Sequence, residues 1–127
     1  MRIRPGGYED LADASIVVIT AGINEQAGKA IDREDNLGRL RLLPHNASVY
    51  KDIIPCLARV APHATILFVT DPPDPLADIA RQLTTTNPVL SSGTFLDTLR
   101  FRLQLARRLE CHPASVDALV VGEHGTS

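Results

Sequence analysis

Two short runs, residues 15–20 (SIVVIT) and 65–70 (TILFVT), are apolar at nearly every position and rich in β-branched residues. Such runs predict strands buried on both faces of a parallel sheet. Residues 89–91 supply a third, shorter strand after Asn87-Pro88, and residues 118–121 read as a strand that ends in a glycine-flanked turn.

Between these runs the spacing of apolar residues is helical. Leu40, Leu43, Ile53, Ile54 and Leu57 predict a helix across residues 39–60, with a bend where Pro44 breaks the hydrogen-bond ladder. The turn DPPDPL (residues 71–76) leads into a helix of about ten residues. Phe95, Leu96, Leu99, Leu103 and Leu105 mark another, and residues 8–14 form a short helical approach to the first strand. Residues 23–38 are polar and punctuated by Gly28, Asp32 and Asp35, as expected of a long functional loop. Strands alternating with helices predict an α/β fold with a parallel sheet.

At 127 residues the chain amounts to one domain or less. A hydrophobic fraction of 44%, 22% charged residues and a net charge of -2 describe an ordinary globular chain with no electrostatic case for nucleic acid. No apolar run approaches the roughly 20 residues of a membrane span, and the first residues lack a signal-peptide core, so the expectation is no membrane partner and a cytoplasmic location. Cys56 and Cys111 have no CxxC spacing and are expected to be buried, reduced thiols. His45, His63, His112 and His124 form no ligand motif, and no metal is expected.

The richest chemistry is in the last third. Asp97 and Arg100 lie three apart on the same helix and share a face, which for most helices means only a surface ion pair. His124 follows an apolar run inside Gly-Glu-His-Gly, where a nearby carboxylate can hold its tautomer and stabilise its cationic form. Asp97 is a candidate for that carboxylate. Arg100 is then free to grip a substrate carboxylate with two parallel hydrogen bonds.

GTFLDTLRFR (residues 93–102) followed by GEHG (residues 122–125) resembles the active-site signature of the L-lactate and malate dehydrogenases. The resemblance runs from about Tyr8 to Ser127, but matches only the middle of the family's length. It implies the second half of a doubly wound (Rossmann) parallel sheet in residues 1–92, plus the start of the substrate domain in residues 93–127. It further implies NAD as cofactor and a small 2-oxo or 2-hydroxy acid as substrate, in an enzyme that is a homo-oligomer when complete.

By that resemblance His124 is the proton donor and acceptor, Asp97 its partner and Arg100 the substrate anchor. The TAG at Thr20, Ala21 and Gly22 matches the turn that lies against the dinucleotide, with Val69 and Asn46 as further cofactor contacts. Residues 23–38 correspond to the lid, whose arginine polarises the substrate carbonyl. Arg39 stands seven residues before Asn46, as the family pattern asks, and Arg33 is the competing candidate.

Glu25, with Gln26 beside it, occupies the position that reads the substrate side chain. Malate dehydrogenases place an arginine there, so neither residue suits a second carboxylate. Asp71 stands where the family has asparagine, exchanging an amide that can donate for a carboxylate that only accepts when ionised. A glycine fingerprint and an acidic ribose ligand, which precede the first strand in the family, have no counterpart here. The strand at residues 15–20 is therefore expected at an open sheet edge, and the 127-residue chain alone is expected to lack turnover. The alternative is a noncatalytic remnant or interaction protein that retains the dehydrogenase fold.

Overall fold

A computed structural model describes residues 3–32 and 34–124. Strand β1 (Ile16–Ile19) is followed by a chain of turns and a 3₁₀ segment (Gly38–Leu42) that runs directly into helix α1 (Leu43–Val60). Strand β2 (Thr65–Phe68), helix α2 (Pro73–Leu83), strand β3 (Val89–Ser91) and helix α3 (Phe95–Arg108) complete the regular elements, apart from 3₁₀ turns at Tyr8–Leu11 and Pro113–Ser115. Both strand pairs are parallel and the sheet order is β1-β2-β3. The expected α/β fold with a parallel sheet is what forms.

The core lies on one side of the sheet. Ile19, Ile66, Phe68 and Val89 point into a cluster with Tyr50, Ile54 and Leu57 of α1 and Leu76, Ala77 and Ala80 of α2. Tyr50 meets Phe68 edge-to-face, with ring centroids 4.9 Å apart. The opposite face is left largely open by the described residues, which corrects the expectation of strands buried on both sides. Val18, Leu67 and Leu90 are in register across all three strands on that face, and Val18 and Leu90 are each 53% exposed. Two-sided hydrophobicity is a property of the strand sequences, whereas helices α1 and α2 both pack on the same side.

Pro44 does mark a change of path, but as the helix start. It sits in the first turn of α1, where a missing N–H costs nothing, and the bend is the passage from 3₁₀ to α geometry. Pro55 lies inside the helix on its exposed side, so the carbonyl it leaves unpaired faces water.

Two other expectations are corrected. Residues 118–121 form no strand among the described residues. They run beside α3, whose side chains take the place of a neighbouring strand. Arg102 Nε donates to the Ala118 carbonyl (2.7 Å), Thr94 Oγ1 donates to that of Val120 (2.7 Å), and Val120 N–H donates to Thr98 Oγ1 (3.0 Å). Helix α3 packs mainly against the Pro113–Ser115 turn and this stretch, so Phe95, Leu96 and Leu99 remain largely exposed. Cys56 and Cys111 are free thiols as expected, but Cys111 is exposed and Cys56 half-buried, so neither is the buried thiol expected. No helix among the described residues is long and apolar enough to cross a membrane.

Candidate functional site

The carboxyl ends of β1 and β2 open into a cleft of about 530 Å³, lined by Thr20, Gly22, Glu25, Gln26, Thr70 and Asp71 among others. In open parallel sheets, ligands bind at such strand ends, because the loops there diverge while the strands hold their bases rigid.

Asn46 organises the rim. It is fully buried, its Oδ1 accepts from Ile23 N–H (2.8 Å) and its Nδ2 donates to the Asp71 carbonyl (2.9 Å). One helix side chain thus ties the base of the lid to the turn after β2. Each end of its amide is engaged by backbone and it does not line the cleft, so in this structure its visible role is that of a clamp. Ala21 and Val69 likewise fall outside the lining. The Ala21 carbonyl instead accepts from Tyr50 OH (2.6 Å) and Thr70 Oγ1 (2.9 Å). Burial pushes the Tyr50 phenol above its ordinary range, against a smaller opposing effect of Thr70.

Gly22 has a φ of 147°, and a Cβ there would lie 2.6 Å from Asn46 Oδ1 and 2.8 Å from Thr70 Cγ2. The glycine is required by the chain's own packing against Asn46, and it also lines the cleft.

The lid folds back through turns at residues 25–29, closed by hydrogen bonds such as Ala30 N–H to the Glu25 carbonyl (2.8 Å). Arg41 bonds Asp35 at the lid's far end, and this hydrogen bond holds the Asp35 carboxyl below the usual range. Arg39 comes forward to the cleft and forms an ion pair with Glu25. Its Nη1 is 3.4 Å from Asp71 Oδ2 and 3.0 Å from His124 Nε2. Arg33, the competing lid arginine, lies outside the described residues.

His124 is the meeting point. Its Nδ1 is 2.5 Å from Asp97 Oδ2, its Nε2 is 3.8 Å from Asp71 Oδ1, and its ring is only 17% exposed. A guanidinium can only donate, so with Arg39 against Nε2 that nitrogen accepts and Nδ1 carries the proton toward Asp97. This is the tautomer a general base needs, with the lone pair of Nε2 facing the cleft rim. Arg39 occupies the position from which any other partner of Nε2 would approach.

The residues singled out in the sequence are therefore only partly assembled. Asp97, His124, Arg39, Asp71 and Glu25 form one connected network, with Gln26 in the same cleft. Arg100 touches it only at the edge, through a 3.7 Å ion pair with Asp97 Oδ1, and its side chain is 65% exposed, away from the cleft lining. Asp74, Ser91 and Tyr50 were not singled out at all. Of these, Asp74 alone had a visible signal, as the second carboxylate of DPPDPL.

Residues 1–91 match the family model described as lactate/malate dehydrogenase, NAD binding domain. NAD is the cofactor this match implies. A cleft at the strand ends, with hydroxyls at Thr20 and Thr70 and an apolar wall at Ile23 and Leu42, fits the nicotinamide end of that molecule. Over 127 residues the chain is 42% identical to an L-lactate dehydrogenase of Thermus aquaticus, covering 98% of this chain and 38% of that protein. It is 39% identical to the L-lactate dehydrogenase B chain of Anas platyrhynchos, over 94% of this chain and 34% of that one.

Among solved structures, it superposes on a lactate dehydrogenase from a Medee basin deep-sea metagenome library with a TM-score of 0.77. The identity is 32%, over 94% of this chain and 36% of that one. A minor L-lactate dehydrogenase from Enterococcus mundtii gives a TM-score of 0.76 at 31% identity. The chain thus spans less than half the length of these relatives, while nearly all of it aligns with them. From the match over residues 1–91 and these identities, the chain belongs to the lactate/malate dehydrogenase family.

Proposed function

We propose that this chain is the central part of an NAD-dependent 2-hydroxy acid dehydrogenase of the L-lactate type. The observation that carries the reading is the chain of contacts Asp97–His124–Arg39 at the rim of the strand-end cleft. When bound, the cofactor would supply a hydride as NADH to C2 of a 2-oxo acid, or accept one as NAD+ from the 2-hydroxy acid. In the reducing direction, His124 Nε2 gives its proton to the oxygen on C2, and in the oxidising direction it removes that proton. Asp97 holds the ring and stabilises its cationic form. Arg39 leaves Nε2 to polarise the C2 carbonyl, and Arg100, three residues from Asp97 on α3, anchors the substrate carboxylate.

The partition of the chain follows the same reading, with residues 1–92 as part of the dinucleotide-binding domain and residues 93–127 as the beginning of the catalytic domain. Two free thiols suit the reducing conditions of a cytoplasm. The exposed apolar residues of α3 support burial against further polypeptide, as in a homo-oligomer of the complete enzyme. Alone, the 127-residue chain is expected to be inactive, because an open cleft and an outlying Arg100 forgo the positioning that can contribute roughly 7–11 kcal/mol to such reactions.

The test is a chimera in which this chain replaces the matching segment of the Thermus aquaticus L-lactate dehydrogenase. NADH oxidation by pyruvate is expected, falling by at least about 100-fold for His124→Ala. A folded chimera whose rate is indifferent to that substitution overturns the assignment.

A further inference from the structure

Asp74 stands in the first turn of α2, with a carboxylate that pairs with no basic side chain among the described residues. Its two oxygens are nonetheless both engaged. Oδ2 accepts the backbone N–H of His124 at 2.9 Å, and Oδ1 accepts the Ser91 hydroxyl at 2.5 Å. Ser91 Oγ in turn accepts from Gly93 N–H at 2.9 Å, at the end of β3. Gly93 has a φ of 41°, and a Cβ there would lie 3.0 Å from Asp74 Oδ1, so the turn closes tightly over this carboxylate.

We infer that Asp74 is a positioning residue for His124: it fixes the backbone from which the imidazole projects, by docking it to the start of α2 and the end of β3. The inference rests on the reading of His124 as the proton-transfer residue. Among the described residues, few other anchors hold this turn. The ring is held through Nδ1 and Nε2, but both contacts are with side chains that the reaction itself engages. The nearest upstream backbone anchor is at Val120. A carboxylate oxygen aimed at the His124 N–H holds the main chain independently of what the ring is doing. The ring can then change protonation without the turn moving. The first-turn location also suits a carboxylate, since the helix N-terminus favours negative charge there.

Reactivity toward diethyl pyrocarbonate, read peptide by peptide by mass spectrometry on the 127-residue chain, tests this without requiring turnover. His124 is shielded in the docked turn, while His45, His63 and His112 serve as internal controls. In Asp74→Ala, His124 is expected to react about tenfold faster, the effect of losing one charge-assisted hydrogen bond, while the three controls stay unchanged. Asp74→Asn keeps an acceptor for the His124 N–H, and Ser91 can accept from the new amide, so its His124 is expected to react within about twofold of the wild-type rate. Unchanged His124 reactivity in Asp74→Ala overturns the inference. So does a failure of asparagine to rescue, which would point to charge in place of docking, and so does a rise shared by all four histidines, which would mark Asp74 as a general stabiliser. A chimera inactive for other reasons would contradict the proposed activity yet leave these reactivities as they are.

Discussion

Asn46→Asp is nearly isosteric and reverses one hydrogen bond of the clamp that joins the lid to the turn after β2. The wild-type amide is oriented unambiguously, because Ile23 offers a donor and Asp71 a carbonyl. An aspartate keeps the bond from Ile23 but sets an oxygen against the Asp71 carbonyl at the 2.9 Å now spanned by Nδ2–H···O. Losing that bond costs about 1 kcal/mol, and the facing acceptors in a fully buried position add about 1–3 kcal/mol. The expected loss at pH 7 is therefore about 2–4 kcal/mol, seen as a urea midpoint lowered by roughly 1–2 M in circular dichroism of the chain. Because burial beside a carbonyl disfavours the ionised form, the folded-state pKa of the new carboxyl is raised above its unfolded value near 3.9. The proton is held more tightly in the folded state, so the deficit relative to wild type should shrink as pH falls toward about 4 and the carboxyl regains a donor. A variant as stable as wild type at pH 7, or a deficit that is the same at both pH values, would refute the clamp.

Gly22→Ala is expected to cost about 2–4 kcal/mol in the same denaturation assay, since it combines an unfavourable φ with a clash against Asn46 and Thr70; a neutral result would contradict the packing described. Tyr50→Phe should lose about 1 kcal/mol at pH 7 with the bond to the Ala21 carbonyl. The raised phenol pKa means that Tyr50's contribution is full below pH about 10 and declines as pH rises through the folded-state value, so the two proteins should converge in alkali. In the chimera, Glu25 and Asp71 surround Arg39 with negative charge, and kcat/KM for pyruvate should exceed that for oxaloacetate by at least about tenfold; the reverse preference would exclude Glu25 from substrate reading.

The strands, helices and their parallel arrangement were legible because each depends on local periodicity, and the runs at residues 15–20 and 65–70 carry it strongly. What covers a strand is not local. Nothing in SIVVIT distinguishes Val17, facing α1 and α2, from Val18, facing away. The run at residues 118–121 carries strand-like chemistry too, yet α3 satisfies its backbone through Thr94, Thr98 and Arg102. At the site, the pairing of Asp97 with His124 was visible because the two motifs put both residues forward, whereas the packing work of Asn46 and Gly22 was hidden. Their partners are Ile23, Thr70 and Asp71, and only the folded chain shows that the Asn46 amide bonds main chain at both of its ends. Asp74 was hidden for the same reason, since its acceptors' role appears only when residues 50 positions apart meet.

The parallel register also sets a clock on the ribosome. About 50 residues separate Ile16 from its partner Thr65. At roughly 5–20 residues per second, several seconds pass between synthesis of β1 and that of the strand it pairs with. During that interval SIVVIT exists without the strand it pairs with here, and the edge that will meet β2 keeps its N–H and C=O groups for water. Once β2 arrives, Ile19 is buried but Ile16 and Val18 still face outward. The order of synthesis therefore leaves β1 waiting on β2, and even the paired strand keeps one aliphatic stripe in water.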